Sequence, residues 1–242
     1  MHPLSAQDIL QVWELGQRQH PVGRALTMLA AACPDMMRDK LACLSIGQRD
    51  ACLLTLREQT FGAKLNGFAE CTQCKERTEF TMNVADIRVA SNSDEQVYEL
   101  TVEGFDLRFH LPNSLDLAAI INCNDQAEAR SLLVQRCLLQ VNRSGAMISS
   151  KELSEEVTAR FVAHIAECDP QSEVLLNLKC PACSYSWQIM FDIVSFFWTE
   201  ICAQANRLLH EVHILAIAYG WCEEDILSLS TDRRQFYLEM VS

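Results

Sequence analysis

The chain has 242 residues, enough for one large or two small domains, and its 49% hydrophobic and 21% charged residues belong to a globular protein. A formal charge of −12 repels phosphate backbones and counts against a nucleic-acid partner, while fitting solubility or a protein partner. No run of about 18 apolar residues excludes itself from water as a membrane span would, and no charged leader with an apolar core opens the chain, so neither membrane insertion nor a signal peptide is expected and synthesis in a reducing cytosol is.

The first elements read as helices. Ser5-Ala6-Gln7-Asp8 resembles a capping box, and Ile9, Leu10, Val12, Trp13 and Leu15 follow with helical repetition. His20-Pro21 breaks this run before a second apolar helix over 22–32, which Cys33-Pro34 ends. A short segment over 36–43 and a helix over 46–59, opened by Gly47-Gln48-Arg49-Asp50 and striped by Cys52, Leu53, Leu54 and Leu56, complete an N-terminal helical cluster, residues 1–63. His2 and His20 are most simply solvated.

Cys71-Thr72-Gln73-Cys74 is then entered from Gly67-Phe68-Ala69 and left through an alternating Phe80-Thr81-Met82-Asn83-Val84. A polar loop, Ala90 to Glu95, leads into an inserted module, residues 93–173. Tyr98, Leu100 and Val102 alternate along one strand of a hairpin, Leu107, Phe109 and Leu111 along the other, with Glu103-Gly104 near the turn. Pro112-Asn113-Ser114 stops the strand and caps a helix over 115–121. Further helices are expected over 125–139 and, after the Asn142-Arg143-Ser144-Gly145 turn, over 154–167, where Asp169-Pro170 ends the pattern. His164 within this last helix reads as a packed residue rather than a ligand.

The second knuckle, Cys180-Pro181-Ala182-Cys183, repeats the first: Val174-Leu175-Leu176-Asn177-Leu178 enters it and Trp187-Gln188-Ile189-Met190-Phe191 leaves it. Two thiols two residues apart, given twice between strands, is the pattern of a four-cysteine zinc ribbon. The expectation is one structural Zn²⁺ held by Cys71, Cys74, Cys180 and Cys183 in a ribbon split between residues 64–89 and 174–192. The 106 positions from Cys74 to Cys180 exceed the roughly 15–20 of a compact ribbon and require the inserted module to loop out. A redox pair, two disulfides or four unrelated core thiols are the alternatives; a redox Cys-x-x-Cys normally opens a helix, whereas strand follows here. Cys33, Cys43, Cys52, Cys137 and Cys202 sit on apolar helical faces, as small hydrophobes do. Cys123, Cys168 and Cys222 fall nearer element ends.

From Phe191 the chain is helical to its end. Val194, Phe197, Trp198, Ile201, Ala205, Leu208, Leu209 and Val212 recur at three and four, and Gly220 is a C-cap. Trp221-Cys222-Glu223-Glu224-Asp225 begins a short helix and Ser230-Thr231-Asp232 caps a last one over 233–241, so residues 193–242 form a C-terminal helical arm. His210 and His213 share a helix face without a third ligand, and their spacing is not that of a zinc protease. No nucleophile elbow or phosphate loop occurs, and with 8 glycines a nucleotide loop is not expected. The fold class is α+β, mostly α-helical, with helical N- and C-terminal parts joined by the ribbon and its inserted β-hairpin and helices.

The run Leu209-His210-Glu211-Val212-His213-Ile214-Leu215-Ala216, Tyr219-Gly220-Trp221, Asp225-Ile226-Leu227 and Arg233-Arg234 resembles the C-terminal signature of the T4-type phage baseplate protein family. Cys180-Pro181-Ala182-Cys183 with Trp187, Phe197-Trp198, and Phe109-His110-Leu111-Pro112-Asn113-Ser114 extend the likeness; Cys222 departs from it where a capping Ser is expected. The resemblance implies a non-enzymatic structural component of a contractile-tail baseplate or hub, in a phage or a phage-derived injection system, made in the bacterial cytoplasm and carried in the tail particle. It also admits an assembly chaperone for the hub, absent from the finished particle. Other baseplate, hub or tail proteins are the implied partners, with no nucleic acid and no small-molecule substrate. Tyr219 and Trp221 are candidate interface anchors, with Arg233 and Arg234 to pair with a partner's acids, unless the two aromatics simply pack the last helices together. A zinc-ribbon nucleic-acid-binding or regulatory protein, disfavoured by the charge, and a thiol redox enzyme are the rival readings.

Overall fold

In the computed structural model, which describes residues 1–89 and 96–241, helices begin where local capping chemistry starts them. The Asp8 amide donates to Ser5 Oγ and the Ser5 amide to the Asp8 carboxylate, a reciprocal box that opens α1 (Ala6–Gly16). His20 caps α2 (Pro21–Ala32) through Nδ1, which accepts from the Val22 amide, and Pro21 supplies a preset φ. After α3 (Arg38–Ala42), Ser45 and Gln48 form a second reciprocal box at the start of α4 (Ile46–Phe61). The polar loop expected at 90–95 lies outside the described residues.

The chain divides into two compact units. One comprises Met1–Met37, Leu53–Ala63 and Asp192–Ser242 and is helical. Its organising element is α9 (Ile193–Tyr219), on which α1 and α2 pack. The Asp192 carboxylate accepts from the Val194 and Ser195 amides and fixes where α9 starts. Gly16 lets α1 approach α9 closely, because a Cβ there would lie 2.3 Å from the Trp198 ring. Arg57, buried, binds both carboxylate oxygens of Glu200 at 2.8 and 2.6 Å and donates to Gly62 O, tying the end of α4 to α9. Gly220, at φ +68°, ends α9 in the left-handed conformation that the sequence requires of a C-cap. α10 (Glu223–Ser228) and α11 (Thr231–Val241) then return along α9, and Val212, Leu215 and Ile226 form the core of that hook.

The other unit comprises Arg38–Cys52 and Lys64–Phe191. It contains an antiparallel hairpin, β1 (Lys64–Glu70) and β2 (Arg77–Asn83), followed by α5 (Val84–Ile87). β3 (Tyr98–Val102) and β4 (Phe105–Phe109) turn at Glu103-Gly104, with Gly104 at φ +78°, as the sequence pattern indicates. α6 (Ser114–Ile120) is capped by Asn113, and α7 (Gln126–Cys137) by Asp125. Where the helical pattern extends to residue 139, the chain instead turns into β5 (Leu138–Arg143), which pairs with β4 and with the short β6 (Ala146–Met147). Only Val141 of β5 is buried, so its alternation is hidden behind the apolar run of α7 and pairing with β4 decides its state. α8 (Glu155–Cys168) covers this sheet: Phe109 stands between Tyr98, stacked at 5.7 Å, and Phe161, edge-on at 5.0 Å. A second two-stranded hairpin, β7 (Leu175–Lys179) and β8 (Ser186–Met190), closes the unit. The architecture is therefore mixed α+β, with more helix than strand and small antiparallel sheets.

Candidate metal centre

The two knuckles are the same turn made twice. β1 and β7 each end one residue before the first cysteine of a pair. The Cys71 amide donates to Glu76 O and the Lys75 amide to Cys71 O; likewise the Cys180 amide donates to Tyr185 O and the Ser184 amide to Cys180 O. The residue after each second cysteine is left-handed, Lys75 at φ 65° and Ser184 at φ 61°. This geometry reverses the chain within the knuckle and delivers two sulfurs to one side of it. Thr78 and Trp187 take equivalent inward positions on β2 and β8, and Trp187 packs with Cys71 and Cys180 in a small apolar cluster.

One sulfur from each of Cys71, Cys74, Cys180 and Cys183 lies within 4.8 Å of the others. Cys71 Sγ and Cys183 Sγ are 3.7 Å apart, and Cys74 Sγ and Cys180 Sγ 3.5 Å. A disulfide is about 2.05 Å long, so no disulfide joins these sulfurs. A tetrahedral ion bound to sulfur at about 2.3 Å sets sulfur–sulfur edges of about 3.8 Å. The cluster already has close to that spacing, so the donor set fits a metal. Cys71 and Cys180 are buried at the base, while Cys74 and Cys183 are exposed. The Cys183 and Ala182 amides point at Cys180 and, against burial, pull its thiol down to about 7. The Glu76 amide favours the Cys74 thiolate, but burial and the neighbouring thiols prevail and push it up to about 12; Cys183 is raised in the same way against the Tyr185 amide. The Cys180 sulfur therefore favours the thiolate while those of Cys74 and Cys183 resist it, and a divalent cation bound there would favour the thiolate form. Strand, rather than helix, leaves each knuckle, unlike the usual redox pair.

A second cluster, His110, Asp116 and Cys137, also falls within 4.8 Å. Its imidazole and its carboxylate are already engaged with backbone groups and Arg136. His110 Nδ1 lies 2.9 Å from Leu111 O and Nε2 3.0 Å from Arg136 O, and Asp116 accepts from Arg136 Nε and from the Asn113 amide. Burial, reinforced by Asp116, pushes the Cys137 thiol up to about 12. These residues join α6 to the α7–β5 corner. Pro112-Asn113-Ser114, read as a helix cap, was the sequence signal for part of this network; the partners Asp116, Arg136 and Cys137 had none. Asp169, read from sequence only as a helix stop, is likewise structural: its Oδ2 accepts from the Gly47 amide at 2.8 Å at the start of α4. Gly47 is required there, since a Cβ would fall 2.0 Å from Asp169 Oδ1. His164 is half-buried, edge-on to Phe109 at 6.0 Å. His210 and His213 are exposed, and among the described residues no third ligand joins them.

Three of the four residues considered for partner binding are engaged within the chain. Tyr219 and Trp221 stack with ring centroids 4.6 Å apart, and Tyr237 of α11 meets them edge-on at 5.6 and 4.9 Å. Arg234 is buried, donating from Nε to Glu211 Oε2 at 3.0 Å and from a terminal nitrogen to Leu229 O. Glu211 receives Arg207 as well. Arg233 alone of the four is exposed.

A family model described as T4 bacteriophage base plate protein matches residues 5–198. The matched stretch includes both knuckles and ends within α9, so the C-terminal run from Leu209 lies beyond it. No curated protein and no solved structure matches the chain.

Proposed function

Because the chain belongs to the T4 bacteriophage base plate protein family, we propose that it is a non-enzymatic structural component of a contractile-tail baseplate or hub, folded around one structural Zn²⁺. Family membership supports the role, and the chain would then be carried in the virion tail or a related injection particle, among other baseplate or tail proteins. The four-thiol cluster supports the metal. Cys71, Cys74, Cys180 and Cys183 would complete a tetrahedron, leaving no position for a substrate, so the ion's contribution is to folding. Zinc suits four thiolates in a tetrahedron; iron is the other metal that does.

Metal analysis of protein purified under reducing conditions tests the centre. About one zinc per chain is expected in the wild type and none in Cys180→Ala; iron in its place would overturn the metal assignment. The role is tested by deleting the chain from the phage or injection system that encodes it. Failure to form baseplates is expected, and normal assembly would overturn the proposal. Immunodetection in purified particles then separates a retained component from an assembly chaperone that leaves.

A further inference from the structure

Helix α11 presents two contrasting faces. Arg234, Tyr237 and Leu238 turn inward to the hook formed with α9 and α10. Arg233, Phe236 and Met240 share the opposite stripe at helical spacing. Phe236 is 62% and Met240 64% exposed, so two large apolar side chains one turn apart face water. The exposed acids of α11, Asp232 and Glu239, lie within a turn of these side chains in the sequence, and Arg233 is the one cation on the stripe.

We infer that the Arg233–Phe236–Met240 stripe is a docking surface that seats in an apolar groove with a basic rim on another protein of the tail assembly. The inference rests on the baseplate reading and adds the surface and the chemistry of its partner. Anchors at i, i+3 and i+7 are the spacing by which a helix lies in a groove. Charge selects the occupant. A second copy paired face to face would set Asp232 and Glu239 against their own equivalents, and anionic lipid or nucleic acid would meet the same repulsion. A basic rim would pair with these acids instead, while the groove covers the two apolar side chains.

The test uses the full chain in the encoding phage or injection system, with Phe236→p-benzoylphenylalanine as a photo-cross-linker. Irradiation should join this position to one other tail-assembly protein, and Glu239→Lys with Asp232→Lys should lower the yield at least tenfold. Phe236→Asp should leave helical content and metal content unchanged and should fail to restore assembly to a deletion strain. Cross-linking to a second copy, to lipid or to nucleic acid overturns the inference, as does full rescue by Phe236→Asp. If deletion of the whole chain leaves assembly intact, the baseplate reading itself fails; if deletion blocks assembly and Phe236→Asp restores it, only the docking surface does.

Discussion

Single residues carry the two junctions that a reader of the sequence would weigh differently. The cysteines announce themselves by spacing, and their sulfurs meet within 4.8 Å although two segments far apart in the chain supply them. Cys71 and Cys180 form the buried base of the cluster, so Cys71→Ser and Cys180→Ser should abolish metal retention and broaden the thermal transition of the protein, as read by metal analysis and melting. Asp169 gives no such signal, because the Gly47 amide it binds lies 122 positions away and a carboxylate after a helix is common. Asp169→Ala should cost about 1–3 kcal/mol by leaving that amide unpaired. Asp169→Asn should behave differently. Burial holds the Asp169 carboxyl above its usual value of 3.8, despite the Gly47 amide and Ser45. Its contribution to stability is full below that value and is lost as pH rises through the higher folded value. The asparagine keeps an oxygen for Gly47 and has no charge to desolvate, so urea midpoints should fall less in Asp169→Asn than in the wild type as pH rises from about 4 to neutrality.

Among the elements, those with local start and stop signals were the legible ones. Ser5 and Asp8, Asn113, Gly104 and Gly220 place their boundaries by chemistry contained within a few residues, and the structure uses each in that way. β5 was not legible, since its state depends on register with β4 and its one buried side chain cannot establish a period. The C-terminal hook shows a related limit. Aromatic and arginine side chains look alike in sequence whether they meet a partner or one another, and Tyr219, Trp221 and Arg234 meet their own helices. Arg234→Ala should therefore destabilise the hook by about 1–3 kcal/mol, because Glu211 Oε2 loses its buried partner and the carboxylate keeps only the more exposed Arg207. Arg234→Ala combined with Glu211→Leu should recover part of that loss in denaturant unfolding. The α1–α9 contact is a packing constraint of another kind: Gly16→Ala must displace the Trp198 ring and should cost about 1–3 kcal/mol, measured by the same unfolding experiment.

For the whole molecule, the cysteine cluster and the helical unit draw on the chain in interleaved pieces. The cluster lies in the unit made of Arg38–Cys52 and Lys64–Phe191. Metal removal by a strong chelator should therefore lower the melting temperature of that unit and deprotect the β1–β2 and β7–β8 amides to hydrogen exchange, with the amides of α1 and α2 little changed. Exchange protected equally with and without chelator would show that the four thiols hold no ion. The helical unit has its own consequence, and it concerns time. Its N-terminal helices α1 and α2 bury their stripes against α9, yet the piece that contains α9 starts only at Asp192. On the ribosome, everything from Lys64 to Phe191 is made in between, an interval on the order of ten seconds at bacterial elongation rates. During that interval the cysteine-bearing unit can finish while α1 and α2 still expose Leu10, Val12, Met28 and Leu29. Synthesis thus imposes an order in which a helix made late in the chain is the one that lets the first two fold.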